Sequence, residues 1–155
     1  MPLKLIRTVA TAVALVGLAS TANAEIFAKQ DAIDYRKASF KVLQGNFQVL
    51  GDMAQGNRSF DEVEYLKRTR HVSALAEMPW EAFIEGSYRD SGLDTSALAS
   101  VASDPEGFAQ RVNDFTDAAK ALGHDDASNV TQSRRLIGQV ANTCRSCHQE
   151  YRHRD

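Results

Sequence analysis

Apolar residues return at helical spacing in four separate segments of this 155-residue chain, and this repetition limits the fold more than any other feature. The first segment runs from about Lys29 to about Met53, and the loop Gln55-Gly56-Asn57 ends it. Its apolar residues, at intervals of 7, 3, 4 and 3, are Ile33, Phe40, Leu43, Phe47 and Leu50. This spacing places them on one face of an amphipathic α-helix.

The second segment begins near Ser59, which has capping-box spacing with Glu62. Pro79 is expected to end this helix, because proline cannot continue it. Its apolar residues are Val63, Leu66, Val72, Leu75 and Ala76. Residues 80–103 are the least regular part of the chain, with one short helical turn expected within 96–101.

The third helix begins at Asp104-Pro105, an N-cap followed by proline at the first helical position, and Gly123 ends it. The fourth helix runs from about Ser128 to about Arg152. Its apolar face is expected to contain Val130, Ile137, Val140, Cys144, Cys147 and Tyr151. Four helices with two short loops, one longer crossover and no convincing strand predict an all-α fold, an antiparallel four-helix bundle.

Residues 1–24 have the pattern of a cleaved signal peptide. Lys4 and Arg7 precede an uncharged apolar run at 9–18, and Ala22-Asn23-Ala24 places small residues where a signal peptidase cuts. A membrane anchor is the alternative, but the run is too short to span about 30 Å of hydrocarbon. We therefore expect export to the periplasm and a mature domain at 25–155, with no membrane association after cleavage.

The mature chain would contain 16 basic and 20 acidic residues, a net charge of −4. This balance gives no electrostatic footprint for nucleic acid. Any long-range steering would weakly favour a basic partner.

The only two cysteines of the chain, Cys144 and Cys147, stand in the motif Cys-Arg-Ser-Cys-His that ends at His148. At positions i and i+3 the two thiols share one helix face, and His148 projects from the same side. Covalent haem attachment needs this arrangement: two thiols reach the vinyl groups and a nitrogen reaches the iron. The motif predicts one haem c, with His148 as an axial iron ligand.

Other functions of the two cysteines are less consistent with the sequence. Two cysteines in an oxidising compartment usually suggest a disulfide, but the following His148 favours haem. A thioredoxin-like pair is expected near the N-terminus of a helix, whereas Cys144 lies in the final turns of one. A zinc site needs four ligands, and the other candidates are only His71, His124 and His153.

With this motif near the end of its fourth helix, the chain resembles the cytochrome c′ family over essentially the whole mature sequence. The resemblance implies a four-helix bundle with haem bound near the C-terminus of the last helix. Besides the motif, the matching residues are Ile26-Phe27-Ala28-Lys29 through Tyr35-Arg36, Met78-Pro79-Trp80-Glu81-Ala82-Phe83, and Tyr151 with Arg152.

The resemblance implies a role for several residues. Cys144 and Cys147 match the thioether cysteines, and His148 matches the proximal iron ligand. Arg152 matches a basic residue near that histidine. Arg36 matches an arginine near a haem propionate, a carboxylate that a guanidinium binds well.

Phe40 matches the position of a bulky apolar residue over the distal haem face, where low-spin relatives carry methionine; plain core packing is its alternative role. Met53 is about 20 Å further along the helix, and Met78 lies at a helix end. The resemblance therefore implies five-coordinate, high-spin iron with a covered sixth position.

Trp80 and Phe83 match residues that pack around haem, although such aromatic residues often belong only to the core. Where the family often has a tryptophan before the third helix, this chain has Ala102. The packing of the haem edge is expected to differ at this point.

An apolar distal pocket disfavours bound dioxygen, which accumulates negative charge, more than nitric oxide or carbon monoxide. We expect a gas-binding protein rather than an enzyme, because no acid–base group is apparent near the site. Electron transfer with a soluble redox partner is the alternative. A thiol–disulfide enzyme is the third hypothesis.

The resemblance also implies that a homodimer could form through the first two helices. Four small or apolar residues lie outside the main apolar face and are candidates for such a contact: Val42, Gly45, Val49 and Val72.

Overall fold

The computed structural model describes residues 26–154, so the predicted signal peptide at 1–24 lies outside the described residues. The helices are α1 (Lys29–Gln55), α2 (Glu62–Leu75), α3 (Ser100–Ser103), α4 (Pro105–Gly123) and α5 (Val130–Tyr151). The four long helices form the predicted all-α bundle, and α3 is a single short turn. Within 26–154 no helix combines the length and apolar character needed to span a membrane.

The ends of α2 differ from the prediction. Asp61, not Ser59, is the N-cap, and its carboxylate accepts a hydrogen bond of 2.8 Å from the backbone N–H of Glu64. The predicted capping box is therefore wrong, because an acidic residue two positions later takes the capping role. The helix also ends before Pro79, since the N–H of Ala76 turns to the carbonyl of Ser73.

The ends of α4 and α5 are closer to the prediction. Asp104 caps α4, with Pro105 as its first residue, and α4 ends at Gly123 as predicted. In α5 the N-cap is Asn129, whose side chain accepts the first free backbone N–H groups. Val130 follows directly and is 39% exposed. Its assignment to the buried face is wrong, because the buried residues of α5 begin one turn later, at Ser133.

One large apolar core fills the space between the four long helices. Its buried members are Leu43, Leu50, Met53, Tyr65, Val72, Ala76, Phe115, Ala119, Leu122, Ala127, Leu136, Ile137 and Val140. Val72 is completely buried, so its assignment to a dimer surface is wrong: it packs inside the bundle. Val42 is exposed, as that surface would require, but Val49 packs against the core.

Residues 83–99, called the crossover below, connect the 3₁₀ turn Trp80–Ala82 to α3. Backbone hydrogen bonds tie the crossover to the end of α5. The N–H of Leu98 donates to the carbonyl of Tyr151 over 2.9 Å, and the N–H of His153 donates to Ser96 over 2.8 Å. The crossover thus closes the end of the bundle where α5 carries the Cys-X-X-Cys-His motif.

A polar contact joins the same end of α5 to the start of α4. The Tyr151 hydroxyl donates to the Asp104 carboxylate over 2.6 Å, and the Gly107 N–H donates to it over 3.1 Å. These two bonds hold the pKa of Asp104 below that of an ordinary aspartate. A side chain at Gly107 would meet both partners, with its Cβ 2.5 Å from the tyrosine oxygen.

Replacing Asp104 with asparagine keeps a capping side chain but removes its charge. Since the pKa of Asp104 is lower in the folded protein than in the unfolded chain, the charge stabilises the fold above the unfolded pKa, about 3.9, and this stabilisation disappears as the pH falls through the folded pKa. We expect the free energy of unfolding of the wild type to exceed that of Asp104→Asn near neutral pH. The difference should close toward about pH 2. Urea denaturation at several pH values measures it, and a pH-independent difference would contradict the assignment.

Candidate haem-binding site

A cavity of about 660 Å³ lies between α1, the Trp80–Ala82 turn, the crossover, α4 and α5. Its volume is in the range of cofactor sites. All eight residues that the sequence singles out line it: Arg36, Phe40, Trp80, Phe83, Cys144, Cys147, His148 and Arg152. The fold therefore brings together residues that are more than 100 positions apart, while the role of each one stays a prediction.

Both thiols face this cavity as free, partly buried cysteines. Burial raises the pKa of Cys144 to about 11 and also raises the pKa of Cys147. Thiol–disulfide enzymes instead need a thiol pKa lowered by a helix N-terminus or a nearby cation. The two cysteines lie in the last two turns of α5, so the geometry does not favour such an enzyme.

His148 follows on the same helix and lines the same cavity. Its pKa is lowered by partial burial and then by the positive charges of Arg152 and Arg154. A lowered pKa keeps the imidazole neutral, the form that ligates a metal. No cluster of three or more His, Cys, Asp or Glu side chains that could hold a metal ion occurs within 26–154.

Aromatic rings form the wall of the cavity along α1 and the Trp80–Ala82 turn. The Phe40 ring meets Trp80 edge-on at 5.5 Å between centroids and Phe83 at 6.3 Å. The Trp80 indole N–H donates to the carbonyl of Ala76 over 2.6 Å, which fixes that ring. Phe108 of α4 extends the cluster, 5.0 Å from Phe83. This wall suits the flat, apolar face of a porphyrin.

The cavity is also rich in positive charge. The cationic side chains that line it are Arg36, Lys37, Lys41, Arg111 and Arg152. No aspartate or glutamate is among the described residues that line it. The thiols, the imidazole, the aromatic wall and these cations all fit haem, whose propionates are anionic.

Three of these cations were not identified from the sequence: Lys37, Lys41 and Arg111. The available signal was helical register. Lys37 and Lys41 flank Phe40 at distances of one turn and one residue. Arg111 lies between Phe108 and Phe115 on one face of α4.

Arg36 is only 3% exposed, and its hydrogen bonds are with the protein. One terminal nitrogen donates to the carbonyl of Ala82 and the hydroxyl of Ser87, over 2.9 and 2.8 Å. The other donates to the carbonyl of Ser87 and, over 2.8 Å, to the hydroxyl of Thr95. All four terminal N–H bonds are thus used. The predicted propionate contact stays a prediction, and only the Nε–H remains for it.

Known proteins resemble this chain over most of its length. Residues 31–152 match the sequence model of the family described as Cytochrome C'. Cytochrome c' of Halomonas halodenitrificans is 36% identical over 127 residues, which cover 79% of this chain and 96% of that protein.

Solved structures show the same similarity. Cytochrome c prime from Shewanella frigidimarina superposes with a TM-score of 0.78 at 32% identity, covering 82% of this chain and 98% of that one. The nitric oxide complex of a variant of cytochrome c prime from Alcaligenes xylosoxidans gives 0.75 at 25% identity, covering 83% and 99%.

Removing the thiols tests the attachment site. Because haem c is held by thioether bonds, haem should stay with the wild-type chain after acid–acetone extraction. We expect Cys144→Ser and Cys147→Ser each to retain one bond and the double variant to release all its haem. Intact-mass spectrometry reads the result. Haem that stays covalently bound in the double variant would contradict the prediction.

Proposed function

Because this chain belongs to the cytochrome c′ family, we propose that it is a periplasmic haem protein that binds small gases, above all nitric oxide. The cofactor is haem c, bound covalently in a chain whose only cysteines are Cys144 and Cys147. When bound, its iron supplies a coordination position for a diatomic gas. Every other property of the site depends on the side chains around that position.

The set of available iron ligands carries this proposal. Of the described residues lining the cavity, His148 is the only histidine, and none is a methionine. Met53 is completely buried in the bundle core, and Met78 is 47% exposed on the surface. Neither methionine lines the cavity, so the lining supports five-coordinate, high-spin iron with His148 as the proximal ligand.

The apolar residues that α1 contributes favour some gases over others. Phe40, Leu43 and Phe47 line the cavity and offer no hydrogen-bond donor. The donors that α1 adds to the lining are Arg36, Lys37, Lys41 and Gln44, and we propose that the sixth iron position lies against Phe40 rather than against them. Bound dioxygen accumulates negative charge and needs such a donor, whereas nitric oxide and carbon monoxide need little polar help. The nitric oxide complex of the Alcaligenes xylosoxidans relative supports the same ligand for this chain.

The described residues that line the cavity include no carboxylate to act as the acid–base group of peroxidase-like chemistry, and a binding protein rather than an enzyme is therefore our proposal. The exposed cations Lys37, Lys41 and Arg152 around the cavity favour electron transfer to an acidic partner as the second function.

Export through the signal peptide at 1–24 is part of the proposal.

The optical spectrum of the reduced haem protein, recorded with and without nitric oxide, tests the proposal. We expect a high-spin spectrum that changes on addition of the gas. A low-spin spectrum that the gas leaves unchanged would contradict gas binding and favour electron transfer.

Phe40→Ala tests the distal cover. If Phe40 must leave its rotamer before a ligand enters, the cost is about 1.5 kcal/mol, so its removal should raise carbon monoxide affinity about tenfold. Phe60→Ala is the matched control, since Phe60 packs on Tyr65 outside the cavity. Carbon monoxide titration of the ferrous proteins measures both variants. Unchanged affinity in Phe40→Ala would remove Phe40 from this role.

Phe40→Met adds a ligand at the same position. A methionine thioether placed over the iron should convert the spectrum to low spin. A spectrum that stays high spin would argue against the placement of Phe40 over the iron.

A further inference from the structure

Arg36 is a buried cation without an acidic partner. It is 3% exposed, and among residues 26–154 it forms no ion pair with an aspartate or glutamate. A buried charge is costly unless hydrogen bonds satisfy it. Here four neutral oxygens do so, so the position of the guanidinium depends on the segment that supplies them.

All four oxygens belong to the segment after α2. They come from Ala82, Ser87 and Thr95, which are 46 to 59 residues away from Arg36 along the chain. The guanidinium thus bridges the start and the far part of the crossover. Next to it on α1, Lys37 donates to the carbonyl of Asp94 over 2.7 Å at the surface.

The same guanidinium contacts the aromatic wall of the cavity. Its central carbon lies 4.8 Å from the centroid of the Phe83 ring. Phe83 in turn packs edge-on against Phe40. A cation held over a ring attracts it electrostatically, so Arg36 restrains Phe83 and, through it, the neighbour that is proposed to cover the iron.

We propose that Arg36 is a positioning residue: its fork of N–H donors fixes the crossover as a rigid wall of the haem cavity, and through Phe83 it limits how easily Phe40 moves to admit a ligand. The role of Arg36 in fixing the crossover does not depend on what the protein binds. Its effect on the movement of Phe40 rests on the proposed gas-binding function.

Planar geometry, rather than charge alone, explains the choice of arginine. The four acceptors lie around both terminal nitrogens, and a lysine ammonium cannot reach both places at once. Arg36→Lys keeps the charge and loses the fork, while Arg36→Gln loses both. A role in binding a propionate through charge would be largely retained in Arg36→Lys, so the two variants separate the roles.

Hydrogen exchange in the haem-loaded protein reads the wall directly. The N–H of Arg89 donates to the carbonyl of Ala97 across the crossover over 2.8 Å and is a suitable reporter. We expect it to exchange about tenfold faster or more in both Arg36→Lys and Arg36→Gln, with α2 amides unchanged. Exchange at the wild-type rate in Arg36→Lys would overturn the proposal.

Two further variants test whether faster exchange depends on the hydrogen bonds of Arg36. Ser87→Ala keeps the cation and removes one acceptor of Arg36, and this hydroxyl has no hydrogen bond to Arg89 or Ala97. It should therefore accelerate the same amide by a smaller factor even if the Arg36 variants fold poorly. Arg70→Gln is the matched control, because Arg70 is an exposed arginine that bonds only to Leu66 in its own helix. Unchanged exchange in Ser87→Ala, or equal acceleration in Arg70→Gln, would overturn the proposal.

Carbon monoxide association, followed after flash photolysis, reads the link to the ligand. We expect a several-fold faster rate in Arg36→Gln and an unchanged rate in Arg70→Gln. Faster exchange with an unchanged association rate would overturn the role in ligand access. Failure of the proposed function looks different: the wild type itself would not bind the gas, while hydrogen exchange would still report on the wall.

Discussion

The side chains of four packed helices can fill the middle of a bundle, but they leave its ends open. Closing one end is the constraint on which this structure depends. The crossover does so by lying across the last turns of α5, where backbone hydrogen bonds hold it, and Arg36 holds it from α1. Since loops carry polar backbone groups that cannot be buried unpaired, the crossover can form a cavity wall only because those groups are matched.

The net charge of the whole chain and the charge of the side chains around the cavity have opposite signs. The 155-residue chain has a net charge of −2, but the cavity is lined by five cations and by no acidic residue among those described. A cofactor with two carboxylates would be repelled by the average surface and attracted by this region. Net charge, the quantity that a sequence gives most readily, therefore indicates the wrong sign for the place where the chemistry occurs.

Local signals were enough for the bundle and for placing Cys144, Cys147 and His148 together on the last helix, but not for contacts that depend on folding. Asp104-Pro105 and the spacing of Cys144, Cys147 and His148 act within one helix, so they could be predicted from the sequence. Arg36 was assigned by resemblance, yet its partners Ser87 and Thr95 lie in a segment without periodicity, so no local pattern could identify them. The assignment of Val72 to a dimer surface is wrong because the apolar residues of α2 are irregularly spaced, so their pattern did not indicate which face points inward.

Gly107 contacts neither cysteine, yet side chains at the same end of the bundle restrict which residue can stand at this position. Glycine in a helix costs about 0.5–1 kcal/mol relative to alanine, so its use inside α4 requires a reason. The reason is space: the Asp104 carboxylate and the Tyr151 hydroxyl meet where a Cβ would lie. Substitution of Gly107 is therefore coupled to the residues at positions 104 and 151. It would first require a different cap on α4 or a different residue three places after His148.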